Sequence, residues 1–549
     1  MSKPTRLAPT AIAELFKKKE WLPVALFQVW EANAQRYPDR EAVIDEKSRY
    51  TWKQADVAIN RFALALAETG FKKDDVLVLQ LPNAAELPLL RVACEKAGVM
   101  CLPVLRNLRT KEVEYIMEHL KVRGIVIPWK YRGFDYFEMA AQIKPVLPEL
   151  KTIMVLDDAV PAGAISVKDI LNTPLEKRYP ADYLQGRSYR PDEVSLINHT
   201  TGTTGFPKFV EYPMAARLRL GRGFIENLKL TDKDVVFALG AVPSGANCVP
   251  YFGAPQAAAK VVMLEHFEAE TAFKIIQKEK MTVVCGVPAM WSMMVDHPKR
   301  KDYDLSSVRL WWNGGAFLPP QLGAEVEAKL GGTILSGLGA SDFGGTMTSR
   351  LDAPPETRFM TVGKGIAGTI FKIVDDNGKE TKAGEIGEIW GSGPSTASGY
   401  YGDTEATWQA WTKDGWFKTG DLGRTDERGN LIIVGRKKDL IIRGGQNIYP
   451  AELETLLLTH PSVADVAVVA MPDKIMGEKA CAYVQLKPGK NLTFKEMGKF
   501  LTDQDIALYK IPERLELIDV MPTVGGGAKT DKKVLQKDIA DKLKSEAKA

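Results

Sequence analysis

Apolar and polar positions follow two different periods along this chain, and the pattern changes character near residue 360. Residues 51–70, TWKQADVAINRFALALAETG, return an apolar side chain every three or four positions, opening on Thr51 and closing on Gly70. That spacing predicts an amphipathic helix. VLVLQ at 76–80 is a continuous apolar run of strand length, followed by a second helical stretch, AAELPLLRVACEKAG, and a second apolar run, VMCLPV. The succession returns further on, with FKIIQKEK reading as helix, MTVVCGV as strand, and VRLWWNGG as a strand running straight into glycines. Strands alternating with helices predict an α/β fold. Ligands of such sheets lie beyond the carboxyl ends of the strands, so the glycines after Trp312 are well placed to meet one. Beyond about residue 360, GEIGEIWGSG and DERGNLIIVGR have the short strands and Gly-rich turns of a smaller β-rich module.

At 549 residues the chain exceeds a single core, since domains run to about 150 residues each. A boundary is expected at 436–439, where DLGRTDERGNLIIVGR gives way to KKDLIIRGGQNIYPAELETLL, with Glu452 and Glu454 opening a new helix. The strands VADVAVVAM and KACAYVQL then provide for a small C-terminal domain, so the expected division is 1–436 and 437–549. With 45% hydrophobic and 26% charged residues and a net charge of +4, the composition is that of an ordinary globular protein. No basic stripe suggests nucleic acid as a partner. The start, MSKPTRLAPTAIAELFKKKEW, lacks the apolar core of a secretion signal, so the expected location is cytoplasmic. Residues 235–259 carry no charge, which is long enough to cross a bilayer, but Pro243, Pro250, Pro255, Gly240, Gly245 and Gly253 interrupt the run. Buried strand and loop packing is expected there, with a possible lining for an apolar ligand and no stable membrane insertion. The five cysteines form no CxxC pair and read as core or pocket thiols.

The densest chemistry lies at residues 198–210, NHTTGTTGFPKFV. Hydroxyls and bare backbone N–H groups suit the oxygens of a phosphate chain, and a lysine adds positive charge. The common P-loop needs Gly-Lys-Ser/Thr, whereas Gly205 precedes Phe-Pro-Lys, so a simple NTPase loses its main support.

Four more segments follow in order: NGGAFLP at 313–319, SGLGASD at 336–342, WFKTGD at 416–421 and GRKKDLIIRGGQNIYPAELE at 435–454. Together with TTGTTGFPK they resemble the ordered motifs of the adenylate-forming superfamily, which holds acyl-CoA synthetases, peptide-synthetase adenylation domains and luciferases. The resemblance covers nearly the whole chain. It implies a large N-terminal domain of α/β subdomains with a β-rich module, then a small mobile α/β C-terminal domain. It also implies a reaction in which a carboxylate attacks the α-phosphate of ATP, giving an acyl-adenylate and pyrophosphate, before the acyl group passes to a thiol. Such chemistry needs positioned donors and cations rather than a protein nucleophile.

By the same resemblance Thr201, Gly202, Thr203, Thr204 and Gly205 would cradle the phosphates, and Lys208 would supply charge. Gly315 and Ala316 with Gly337, Leu338 and Gly339 would form the adenine slot, while Asp421 and Arg436 would reach the ribose. Ser341 and Asp342 stand where the family usually has Thr-Glu, so Asp342 would hold Mg²⁺ with a carboxylate one methylene shorter. Lys529, in MPTVGGGAKTDKK, would be the catalytic lysine, although Ala528 replaces the usual glycine and the spacing from Pro522 is one residue longer. Lys438 would be the hinge, and Arg443, Gly444 and Gly445 would open a channel for the pantetheine of coenzyme A.

An amino-acid substrate would need a buried carboxylate facing its ammonium, and the charge-free run provides none. PSGAN at 243–247 falls where relatives that activate aryl acids have His-Asn, so Ala246 and Asn247, with Gly314, are expected to border an apolar acyl pocket. The expected substrate is a compact alicyclic or aromatic acid, with a medium-chain fatty acid as the alternative. GGQNIYPAELE resembles the acyl-CoA synthetase form of its motif, which favours CoA over a carrier protein as acceptor. Two further readings remain, an aryl-acid ligase loading a carrier protein and a nucleotide-binding protein without catalysis. A homodimer is possible.

Overall fold

The computed structural model of the chain describes residues 2–200, 207–240, 247–504, 506–524 and 529–546. Two large sheets dominate. In the first, strands Glu41–Ile44, Lys260–Met263, Val235–Ala238, Val283–Gly286, Leu310–Asn313 and Thr333–Leu338 pair in parallel, with short antiparallel strands at both edges. In the second, Val194–His199, Met100–Pro103, Val76–Leu79, Gly124–Ile127 and Thr152–Val155 are parallel, and Phe209–Pro213 and Gly399–Tyr400 add an antiparallel edge.

The apolar runs read as strands are continuous because both of their faces are covered. Val76 and Val78 enter one core while Leu77 and Leu79 enter another. This second core also takes the inward face of the first sheet, including Val43, Val236, Val261 and Leu310. Helices Trp52–Glu68 and Glu86–Ala97 fill the space between. Thr51 caps the first of these, its side chain accepting from the Gln54 N–H while the Gln54 side chain accepts from the Thr51 N–H. The second helix ends at Gly98 with φ +73°.

The charge-free run departs from the loop expected of it. After Val235–Ala238 the chain forms a wide helical turn at Val249–Gly253 continuing into Ala254–Gln256. Pro250 and Pro255 each sit at a first-turn position, where a missing N–H costs nothing.

A four-stranded antiparallel sheet follows, Ile370–Val374, Gly387–Ser392, Phe417–Thr425 and Leu431–Arg436. One short turn, Lys437–Asp439, leads from it to a last sheet whose strands all lie within residues 441–517. Along Val463–Asp473, Val466 and Val468 face one core and Ala467 and Val469 another, the alternation of a strand covered on both sides. No helix among the described residues is long and apolar enough to cross a membrane. All five cysteines are unpaired, and four of them are buried.

One buried carboxyl ties this architecture to pH. Glu95 lies on helix Glu86–Ala97, and its Oε1 accepts the backbone N–H of Leu26, the first residue of helix Leu26–Arg36. Burial pushes the Glu95 carboxyl up to about 8. A raised carboxyl favours folding when protonated, so its contribution is present below about 4.5 and is lost as the pH rises towards 8. Glu95→Gln keeps the capping acceptor and removes the charge. Its melting temperature is therefore predicted to fall less than the wild-type value between pH 5 and pH 9; parallel profiles would contradict this assignment.

Candidate functional site

The carboxyl ends of three parallel strands, Leu310–Asn313, Thr333–Leu338 and Val194–His199, each lead into one of the motifs picked out in the sequence. Asn313 holds the first two together. It is fully buried, accepts the indole N–H of Trp291 at 3.0 Å, and donates from Nδ2 to Ser336 Oγ at 3.0 Å and to the Ala316 carbonyl at 3.1 Å. Gly315 and Ala316 are thereby fixed beside Gly337, Leu338 and Gly339. Two of these glycines stand where a side chain does not fit. A Cβ on Gly337 would come within 2.5 Å of the Trp312 ring, and Gly315 holds φ +87°.

The third strand and Phe209–Pro213 pair antiparallel as the two arms of a hairpin. Thr201, Gly202, Thr203, Thr204 and Gly205 lie outside the described residues, as does Ala246. The neck of the hairpin is described: the Thr200 N–H donates to the Lys208 carbonyl at 2.9 Å, and the Lys208 N–H donates to Thr200 Oγ1 at 3.0 Å. At this neck the Lys208 ammonium stands over the ring of Tyr400, 4.7 Å from its centroid. The hydroxyl of the same ring donates to Asp342 Oδ2 at 3.1 Å. Two residues singled out from the sequence, 134 positions apart, thus both contact a third that was not, Lys208 at its ring and Asp342 at its hydroxyl. No direct ion pair joins them among the described residues.

Tyr400 is held from several directions. Val210 pairs with it across the sheet edge, its N–H donates to Thr407 Oγ1 at 2.8 Å, and Trp411 packs edge-on at 5.4 Å. Burial, then the neighbouring Asp342 carboxylate, raises its hydroxyl above the ordinary phenol range, so it stays a donor. Beside it, the Tyr212 hydroxyl donates to the Ser341 carbonyl, and the buried Arg217 guanidinium lies over the Tyr212 ring at 4.0 Å. Arg217 also donates to the Gly344 carbonyl at 2.8 Å, which completes the support of the 341–344 turn.

Asp421 and Arg436 face each other across adjacent strands, with Nε and Oδ1 3.3 Å apart. Lys438 follows in the connecting turn, where burial and then Arg436 lower its ammonium below the ordinary lysine range. Arg443, Gly444 and Gly445 sit in a tight hairpin. Arg443 pairs with Gln446, and the two glycines between them both have positive φ, +54° and +83°. Arg443 is committed to Glu513 at 2.5 Å. Asn247 is buried and donates to the Gly240 carbonyl at 2.7 Å, a group it shares with Asn83 at 2.8 Å. Lys529 is described in its backbone alone, as part of a two-stranded ribbon in which it pairs with Val524.

Tyr400 and Asn313 are the residues that reading the sequence missed. Asn313 stood inside a quoted motif, and its amide was the available signal. Tyr400 had none, because its role depends on a strand pairing between residues 190 positions apart.

A family described as AMP-binding enzyme matches residues 30–401, and its C-terminal domain matches residues 452–527. The medium-chain fatty-acid–CoA ligase of Escherichia coli (strain K12) is 31% identical over 530 residues, 95% of this chain and 92% of that protein. The 2,3-dihydroxybenzoate-AMP ligase of Bacillus subtilis (strain 168) is 30% identical, covering 97% of both. Among solved structures, an anthranilate CoA ligase in complex with anthranoyl-AMP superimposes with a TM-score of 0.84 over 95% of this chain and 98% of that one. At 23% identity this last likeness speaks for the fold.

Proposed function

The chain belongs to the AMP-binding enzyme family, and from that premise we propose an ATP-dependent acid:CoA ligase acting on a compact hydrophobic acid. That it is an adenylate-forming acid ligase follows from the family and from relatives matched nearly end to end. The choice of acid and of thiol is our reading of this chain's residues.

The observation that carries it is the arrangement of Lys208, Tyr400 and Asp342. Transfer of an adenylyl group needs a cation on the phosphates and a carboxylate for the accompanying divalent ion, close together yet not paired with each other. The ring of Tyr400 keeps the ammonium available to phosphate oxygens on one side. Its hydroxyl occupies one Asp342 oxygen and does not engage the other. The donor set fits Mg²⁺, which takes one or two carboxylates and completes its shell with phosphate and water. Among the described residues no group of three His, Cys, Asp or Glu could cage a metal without the nucleotide. Bound there, the ion would neutralise phosphate charge.

In this reading the adenine enters the slot between Ala316 and Gly337, where Asn313 has set the spacing. Asp421 accepts from the ribose hydroxyls, held in aim by Arg436. Lys529 stabilises the charge that develops as the acid oxygen bonds to the α-phosphate and pyrophosphate departs. The large domain ends at residue 436, and Lys438 is the hinge about which residues 437–549 turn between the two half-reactions. Its surroundings suit that role, because Lys437 is anchored to Asp376 at 3.1 Å on the large-domain side while Lys438 has burial and a like charge against it. The Gly444–Gly445 turn then leaves a narrow passage for pantetheine. The lack of charge between 235 and 259, together with Asn247 and Gly314, favours an alicyclic or aromatic acid. The relatives named for a fatty acid and for an aryl acid bracket this choice.

A panel of carboxylic acids assayed for CoA-dependent AMP release and ranked by kcat/KM tests the reading; the best acids are predicted to be ring-bearing, and release without any acid would refute it. Lys529→Ala is predicted to lower adenylate formation roughly 100- to 1,000-fold while thioester formation from supplied acyl-adenylate persists. Equal loss of both steps would show that Lys529 has been misassigned. Tyr400→Phe keeps the ring and loses the hydrogen bond to Asp342. It is predicted to raise the half-saturating Mg²⁺ concentration roughly two- to tenfold with little change in the KM for ATP. Tyr400→Leu, which also removes the ring under Lys208, is predicted to weaken both.

A further inference from the structure

Helix Glu86–Ala97 is buried along nearly its whole length, and Arg91 stands at its middle with 6% of its surface exposed. The guanidinium lies over the Phe252 ring, 4.4 Å from its centroid, with the Tyr251 ring at 5.6 Å. Its Nε and Nη2 are buried and have no hydrogen-bond partner among the described residues. Arginine does not escape this by losing its proton, so a buried guanidinium requires an anion or pays a large desolvation cost.

The nearest acidic candidate, Glu95, sits one turn further along the helix. It forms no ion pair with Arg91, its Oε1 is taken by the Leu26 N–H, and its carboxyl is raised to about 8 by burial. At neutral pH it carries little of the charge Arg91 needs.

Two other donors share the predicament. The Tyr251 hydroxyl and the Trp30 indole N–H are buried without partners among the described residues, and both side chains line the same enclosed cavity as Arg91. The rest of the wall is apolar, with Leu26, Val43 and Met263 among its members. The free space, about 10 Å³ for the centre of a water-sized sphere, admits a single small species and no organic substrate. Among the side-chain nitrogens and oxygens of the wall, a water would meet donors for its lone pairs, but only the Tyr251 oxygen could accept one of its protons. An anion needs donors alone.

We propose that this cavity is a binding site for one monatomic anion, a halide such as chloride, held by the Arg91 guanidinium with the Tyr251 hydroxyl and the Trp30 N–H. The site goes beyond the proposed reaction and does not depend on it. Its consequence is local: Tyr251 and Phe252 belong to the helical turn that follows Asn247, so the anion joins that turn to helix Glu86–Ala97.

The test uses the full chain without nucleotide. Melting temperature is measured against chloride or bromide concentration at constant ionic strength with gluconate as the replacement, and crystals grown in bromide are examined for anomalous scattering. The expected result is a saturable halide-dependent rise and a bromide peak between Arg91, Tyr251 and Trp30. Tyr251→Phe, which preserves the packing, is expected to raise the half-saturating halide concentration roughly three- to tenfold, and Arg91→Met to abolish the dependence. Superimposable melting curves in halide and gluconate, or a cavity without anomalous signal, would overturn the proposal whether or not the Arg91 variant folds.

Discussion

In the proposed reaction a cation and a carboxylate must serve one nucleotide without cancelling each other, and Tyr400 engages each of them, Lys208 through its ring and Asp342 through its hydroxyl. A lysine and an aspartate in direct contact near a protein surface attract by about 4 kcal/mol, enough to withdraw both from a ligand. Here the ammonium of Lys208 rests on one side of the aromatic ring and the carboxylate of Asp342 accepts its hydroxyl. The cation–π contact is worth only about 0.5–2 kcal/mol, so Lys208 is restrained yet still able to exchange that contact for phosphate oxygens. The pairing with Val210 and the packing of Trp411 fix the ring that makes both contacts.

The second constraint is the spacing of two parallel strand ends. Asn313 spans them with one amide, and each of its bonds is buried, so the motif glycines are placed by a residue that need not touch any ligand itself. These two strand ends are therefore braced where the proposed reaction places the nucleotide. Beyond Arg436 a single short turn leads to a sheet with its own two cores, an arrangement suited to rotation as a unit. Stiffness on one side and a narrow connection on the other are what two successive reactions in one crevice require.

Much of this was legible in the chain because local rules and tertiary structure agree. Thr51 and Gln54 announce a helix start, and the all-apolar run at 76–79 announces a strand buried on both faces. The helical turn at 249–256 was not legible, because its prolines read as breakers until their first-turn positions are known. Nothing in the chain singled out Arg91, because local pattern does not show that its helix is covered on nearly every face. In the site, charged and glycine-rich segments could be found by composition, but Tyr400 could not. Its partners come from segments 58 and 192 residues away, brought together by a sheet edge that no local pattern encodes.

The most direct measurement is a crystal structure of the protein with ATP, Mg²⁺ and a non-reacting analogue of its acid. The account predicts the triphosphate on Lys208, the metal on Asp342, the ribose on Asp421, and Tyr400 still hydrogen-bonded to Asp342. A nucleotide bound away from these residues, or a direct Lys208–Asp342 contact in the loaded site, would contradict it.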